Sequence, residues 1–124
     1  MQYPKTIKFT TAEWRLIEDR LAVPCAIADS LTDDEDVPDL DKDDIIDRAR
    51  AMYFQESDVT LRDDLDRAVL EDAVAGSTMP AKLQDQIERG SPAGHREARW
   101  LKRQISKVEK RLAEIGIHVQ FPKY

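Results

Sequence analysis

Residues 91–116 read SPAGHREARWLKRQISKVEKRLAEIG, and this stretch decides the fold class. Its Ser-Pro opening is typical of a helix start and Gly116 of a helix stop. Apolar residues recur within it at spacings of 4, 3, 4 and 3, on one helical face: Leu101, Ile105, Val108, Leu112 and Ile115. This seam lasts only about two heptads, short of the three or four typical of a coiled coil. We therefore expect a long helix, about 92–115, that packs on its own domain.

Working outward, the same periodicity predicts five or six helices. Thr10 and Glu13 have the spacing of a capping box, so a helix begins near Thr11 and kinks or restarts at Pro24. Another pair at that spacing, Thr60 and Asp63, predicts a later helix start. The remaining expected helices cover about 45–55, 61–75 and 80–89. The predicted core is Trp14, Ile17, Leu21, Ile46, Leu65, Val69, Ile105, Val108 and Leu112.

Alternating apolar residues predict a short strand at each end of the chain. The N-terminal strand is expected over 3–9, and the C-terminal strand over 117–121. Neither has another obvious partner, so the sequence favours pairing between the two. The prediction is a mainly α, compact helical domain with an antiparallel two-stranded ribbon on its core, because an isolated ribbon is marginally stable.

Composition limits size and compartment. The 124 residues, with 41% hydrophobic and 35% charged, suit a single domain over 1–124. A single cysteine excludes an internal disulfide and fits a reducing compartment, so we expect a cytoplasmic protein. No apolar run reaches the roughly 20 residues of a membrane span, and no signal peptide or membrane association is expected.

Charge is distributed unevenly along the chain. Residues 29–72 carry 17 acidic and five basic side chains, a net charge of −12. Residues 73–124 carry ten basic and five acidic side chains, a net charge of +5. One interpretation is that the acidic segment and the basic last helix partly neutralise each other and otherwise keep the surface solvated.

A second interpretation makes the acidic segment a docking surface. Closely spaced carboxylates approximate the charge density of a nucleic-acid backbone, so a row of them fits a basic groove on a protein partner. The candidate partner-binding residues are Asp33, Asp34, Glu35, Asp36, Asp39, Asp41, Asp43, Asp44, Asp47, Asp63, Asp64 and Asp66. In composition alone, residues 29–72 resemble protein mimics of DNA, a class that includes phage-encoded inhibitors of host defence. The first hypothesis is therefore a small acidic inhibitor or regulator.

Two other functions stay open. The first alternative is a structural or assembly protein, such as a phage particle component, that forms homo-oligomers. Alternatively, the last helix binds phosphates through a basic face, formed by Arg96, Arg99, Lys102, Arg103, Lys107 and Lys110. The net charge of −6 opposes approach to free nucleic acid, so direct binding is not expected.

No assembled catalytic or metal motif is present in the sequence. Asp39, Asp41 and Asp43 have the spacing that opens a calcium loop, but its glycine and glutamate positions hold Asp44 and Arg50. Cys25 follows a proline in an apolar stretch, which favours an inert buried thiol. A nucleophilic pair with His95 or His118 stays open, since such pairs are spatial. We expect a non-enzyme without metal or cofactor.

Overall fold

The computed structural model describes residues 2–33, 41–90 and 92–122. Within these ranges the chain forms six helices and two short strands. The order of the elements is β1 (Lys5–Lys8), α1 (Thr11–Leu21), α2 (Pro24–Thr32), α3 (Lys42–Gln55), β2 (Asp58–Leu61), α4 (Asp64–Ala75), α5 (Met79–Arg89) and α6 (Pro92–Glu114). The mainly α prediction with five or six helices is confirmed.

Helix α1 lies at the centre of the fold and contacts α2, α3, α4 and α6. Its start is the predicted capping box: the Glu13 backbone N–H donates to the Thr10 hydroxyl, and the Thr10 N–H donates to the Glu13 carboxylate. Leu16 and Ile17 are fully buried. Pro24 occupies the first turn of α2, so the chain restarts its helix there, as expected from a residue that lacks a backbone donor.

Six of the nine predicted core residues are buried, and the other three are partly buried against the same cluster. The three are Ile46, Leu65 and Ile105. One cluster draws buried residues from every helix and both strands, because each amphipathic face needs a neighbour to exclude water. The last helix has the predicted bounds, and Gly116, at φ 90°, follows it in a backbone conformation that favours glycine.

The predicted ribbon between the two terminal strands is wrong. Strand β1 pairs antiparallel with β2, in the middle of the chain, with Ile7 opposite Val59. Residues 117–121 form no strand, although Ile117 and Phe121 are buried. The Phe121 N–H donates instead to Glu109 of α6. The alternation of apolar and polar residues in this terminal segment therefore reflects which side chains face the core. Such a pattern can arise without a strand partner.

The same region corrects the predicted start of the fourth helix. Thr60 lies in β2, where its hydroxyl contacts that of Thr6 across the ribbon. Helix α4 begins at Asp64, and the Asp63 carboxylate caps it by accepting from the Asp66 N–H at 3.0 Å. The Thr60–Asp63 spacing fits a helix that starts at Thr60, and it also fits a strand followed by an Asp cap. Pairing of this segment with β1 favours the strand.

Helices α5 and α6 pack mainly against each other. Every extensive contact of α5 with another element is with α6, and α6 reaches the body through α1. Arg111 donates to the buried Glu13 carboxylate at 3.0 and 3.2 Å, which joins the C-terminal half of α6 to the start of α1. This arrangement leaves the outer face of α6 open to solvent.

Candidate interaction surfaces

Part of the acidic segment is built into an internal ion cluster. The Arg48 guanidinium of α3 donates to Asp44 at 3.2 Å, to Asp63 at 2.6 Å and to Asp66 at 2.9 Å. The Asp66 carboxylate, with a side chain only 3% exposed, also accepts from Arg62. We call these five residues the Arg48 cluster. It joins α3 to the N-terminus of α4 and engages three of the predicted docking carboxylates.

Within the Arg48 cluster, hydrogen bonds between opposite charges shift the pKa values of Asp66, Asp63 and Arg48 in favour of their charged forms. Burial raises the pKa of Asp66, but hydrogen bonds from Arg62 and Arg48 outweigh burial and hold that pKa below its usual range. The pKa of Asp63 is also lowered, first by the backbone N–H of Asp66 and then by Arg48. Burial lowers the pKa of Arg48, but its three carboxylate partners raise it by more. Removing Arg48 therefore leaves the buried Asp66 carboxylate short of compensation.

The other predicted acidic residues divide into three groups. Asp64 is exposed and accepts a hydrogen bond from the Tyr3 hydroxyl at 2.6 Å, and this bond raises the pKa of Tyr3. Four more are exposed: Asp33, Asp41, Asp43 and Asp47. Asp34, Glu35, Asp36 and Asp39 lie outside the described residues.

The outer face of α3 carries two of these carboxylates and an aromatic side chain. Asp43, Asp47, Arg50 and Phe54 follow one another at spacings of 4, 3 and 4, so they lie on one line, and all are exposed. We call this line the α3 face. Phe54 is 78% exposed, the most exposed large hydrophobic side chain in the described chain. Neither Asp43 nor Asp47 forms an ion pair with a described residue.

An apolar patch extends from Phe54 onto α2. Val23 is 53% exposed and Tyr53 is 37% exposed, and the ring centroids of Tyr53 and Phe54 are 5.6 Å apart. A shallow depression of about 330 Å³ runs beside them, lined in part by Pro24 and Cys25. Neither Phe54 nor Val23 was predicted from the sequence as part of a surface patch. An adjacent aromatic pair at a helix end was the available signal, since one stripe cannot bury both rings.

The outer face of α6 carries a continuous row of cations. Their spacings of 3, 4, 4 and 3 place them on one line about 21 Å long: Arg96, Arg99, Arg103, Lys107 and Lys110. We call this row the α6 stripe. All five are exposed, and within residues 2–33, 41–90 and 92–122 none of them forms an ion pair. Lys102, also exposed, lies beside the row, and Trp100 next to it is 38% exposed.

Ion pairs between described residues do not link the acidic segment to the basic last helix. Helix α6 packs on α1 and α5, whereas the α3 face belongs to a helix that packs on α1, α2 and α4. Described ion pairs of α3 involve α2, α4 or α3 itself, and that of α6 involves Glu13 of α1. Partial neutralisation at longer range stays a prediction, and the α3 face and the α6 stripe are both exposed.

The soft and imidazole side chains show no assembled catalytic set. Cys25 is exposed, so the buried thiol expected from the sequence is wrong. The depression beside Cys25 is lined by Leu21, Ala22, Pro24, Arg50, Tyr53 and Phe54, which supply no histidine. His95 and His118 are exposed at opposite ends of α6. In the described part of the chain, no three His, Cys, Asp or Glu side chains are grouped to hold a metal ion.

Comparison with known proteins does not identify a relative. No family model matches the chain, and neither a curated protein nor a solved structure is detectably similar to it. No described helix is both long and apolar enough to span a bilayer.

Proposed function

We propose that this protein is a non-catalytic interaction protein, an inhibitor or regulator that docks on a basic, nucleic-acid-binding surface of a protein partner. The α3 face makes the contact. Its Asp43 and Asp47 carboxylates supply the negative charge, together with the neighbouring acidic side chains of the segment. Asp44, Asp63 and Asp66 act only indirectly, because the Arg48 cluster holds the two helices that carry the acidic surface.

The observation that carries this proposal is the position of Phe54. A surface that only keeps a protein soluble needs charge, and an aromatic ring that is 78% exposed works against that purpose. Interfaces, by contrast, combine a desolvated aromatic anchor with charges around it. Phe54 lies on the same helical line as Asp43 and Asp47, within about 16 Å of helix. Val23 and Tyr53 extend the anchor to a patch.

Backbone geometry next to the anchor fits the same interpretation. Glu56 has φ 57° and ψ −133°, a conformation that is costly for a residue with a Cβ atom. Strained residues of this kind cluster at binding and switch regions, where a sharp turn has to present a particular side chain. Here the turn ends α3 two residues after Phe54 and leads directly into β2.

Charge and anchor have separable roles in this docking. Exposed carboxylates act at long range, so Asp43→Asn with Asp47→Asn should chiefly slow association and reduce its salt dependence. The aromatic side chain acts at contact, so Phe54→Ala should chiefly speed dissociation and weaken binding by about 2 kcal/mol, or about 30-fold. Neither change touches the core, so the free energy of unfolding should change by less than about 0.5 kcal/mol.

The test is affinity capture from a lysate at low and high salt, with duplex DNA as a competitor. We expect a nucleic-acid-processing protein that is released by salt and by DNA. It should be depleted on the Asp43→Asn, Asp47→Asn variant and on the Phe54→Ala variant. A matched control, Glu97→Gln with Glu114→Gln, removes two exposed carboxylates from α6 and should retain the partner. Equal retention by all variants would contradict the proposal.

A second candidate function is supported by the α6 stripe. Five unpaired cations on one helical line, with Trp100 beside them, suit a nucleic-acid backbone and a stacked base. Replacing Arg99, Arg103 and Lys107 by Glu should abolish retention on immobilised duplex or single-stranded DNA if this candidate is correct. The net charge of −6 places it second.

A further inference from the structure

Two exposed faces of opposite charge remain unpartnered on each molecule. The α6 stripe offers five cations, and the α3 face offers Asp43 and Asp47 beside one cation, Arg50, without an ion pair to any described residue in either set. Contacts of the two helices show why: α6 packs on α1 and α5 and shares no extensive contact with α3. Charge complementarity that is unused within one molecule is available between two.

The two faces also match in form. Each is the outer line of a single exposed helix, about 16 Å long on α3 and about 21 Å long on α6. Each carries an aromatic side chain next to its charges, Phe54 at 78% exposure and Trp100 at 38%. Helix faces of this length pack side by side through interdigitating side chains, and an arginine near an aromatic ring adds a cation–π contact.

We infer that the α3 face of one copy docks on the α6 stripe of a second copy. This inference rests on the proposed function, because it uses the same acidic face and names a basic partner for it. Asp43 and Asp47 pair with the arginines of the stripe, and Phe54 packs beside Trp100. Among the described acidic surfaces, the α3 face is the one that joins charge to an aromatic anchor.

The contact is heterologous, since two different surfaces meet. Each added copy keeps one free α3 face and one free α6 stripe, so association proceeds to a closed ring or an open chain rather than stopping at a symmetric dimer. Net charge opposes assembly, at −6 per copy. The excess charges are spread over the whole surface of each copy, whereas directly paired groups interact at about 4 Å, where the Coulomb energy of each pair is much larger.

The experiment measures mass against concentration by sedimentation and light scattering. The wild-type chain, 14.2 kDa as a monomer, should rise in average mass with concentration at low salt and return to the monomer at about 1 M salt, where the Debye length is about 3 Å. Asp43→Lys with Asp47→Lys should remain monomeric. Arg99→Glu with Arg103→Glu and Lys107→Glu should also remain monomeric. Circular dichroism and thermal unfolding establish that both variants are folded.

Mixing the two variants gives the decisive measurement. Neither variant can associate with its own kind, because each carries like charges on both faces. The first variant is basic on α3 and on α6, and the second is acidic on both. In the mixture, a basic α3 face meets an acidic α6 and a basic α6 meets an acidic α3 face, so association should reappear. A control variant with Asp58→Lys and Glu88→Lys changes net charge by the same amount as the α3 variant, on other elements, and should associate like the wild type.

Three outcomes overturn the inference. The wild type remains monomeric at all concentrations at low salt; the mixed variants fail to associate; or assembly persists when either face is reversed. The proposed function fails separately, since it requires a captured partner that is lost on the Asn and Ala variants of the α3 face. Capture of that partner by a strictly monomeric protein would retain the proposed function and refute self-association. Retention of duplex DNA through the α6 stripe by a monomer would assign the stripe to nucleic acid.

Discussion

Replacing Arg48 by Met tests whether the Arg48 cluster is structural. Methionine keeps most of the aliphatic volume and removes the guanidinium, which donates to three carboxylates at 2.6 to 3.2 Å. The most affected partner is Asp66, whose side chain is 3% exposed. Breaking a buried ion pair from one side costs about 3–5 kcal/mol because the remaining charge is left buried without compensation.

Other contacts of Asp66 place the expected loss at the lower end of this range. Its carboxylate keeps the Arg62 side chain at 3.0 Å and the Arg62 backbone N–H at 2.9 Å. Asp44 and Asp63 are 46% and 49% exposed, so water replaces much of what Arg48 gave them. We therefore expect a loss of about 3 kcal/mol in the free energy of unfolding, which lowers Tm by roughly 10 °C for a chain of this size.

Urea unfolding followed by circular dichroism measures this loss, with an unchanged m-value as the sign that only stability has changed. The control is Arg50→Met, on the same helix, exposed and without an ion pair to a described residue, for which we expect less than about 0.5 kcal/mol. A loss below about 1 kcal/mol for Arg48→Met, or one equal to the control, would refute the structural role of the cluster. The three carboxylates would then belong to the exposed acidic surface.

Three further predictions follow from local features. Glu56→Gly should stabilise the protein by about 1 kcal/mol in the same urea assay, because glycine adopts φ 57° without strain, and a loss of stability would contradict the strained turn. The pKa values of Asp63 and Asp66 are lowered on folding, so their contribution to the free energy of unfolding is complete above the ordinary carboxyl pKa of 3.8 and is lost as pH falls through the lower folded values. The free energy of unfolding, measured as pH is lowered, should fall in that range, and Arg48→Met should reduce the fall. An equal fall in that variant would contradict the assignment. Exposed Cys25 should react with a thiol reagent in the native protein as fully as in denaturant. Reaction only after unfolding would show that the thiol is buried.

Local chemistry alone predicted the helices correctly where it was strongest. The seam of α6, with Pro92 before it and Gly116 after it, needs no distant residue, because helical periodicity and end signals lie within the same stretch. The capping box of α1 is equally local, since its two hydrogen bonds join residues three apart. Positions of the α6 stripe were also predictable, because a seam that faces inward forces the cations outward.

Surfaces depended on tertiary contacts that no local pattern contains. Cys25 was expected to be buried, but it is exposed, as Phe54 is, because α2 and α3 bury their opposite faces against each other and against α1. Composition placed Asp66 on a docking surface. Arg48, 18 residues away, draws it into an internal cluster, because a charge near the core needs compensation that only folding supplies.

The sequence by itself determined the helical class, the bounds of the last helix and the separation of acidic from basic charge. Each depends on residues within a few turns of one another. Tertiary structure alone decided that β1 pairs with β2 rather than with the C-terminal segment, and that the two charged faces do not meet. Which strands pair and which helix faces are buried depends on contacts between residues far apart in sequence. The alternation or charge of one segment does not show which other segment will pack against it.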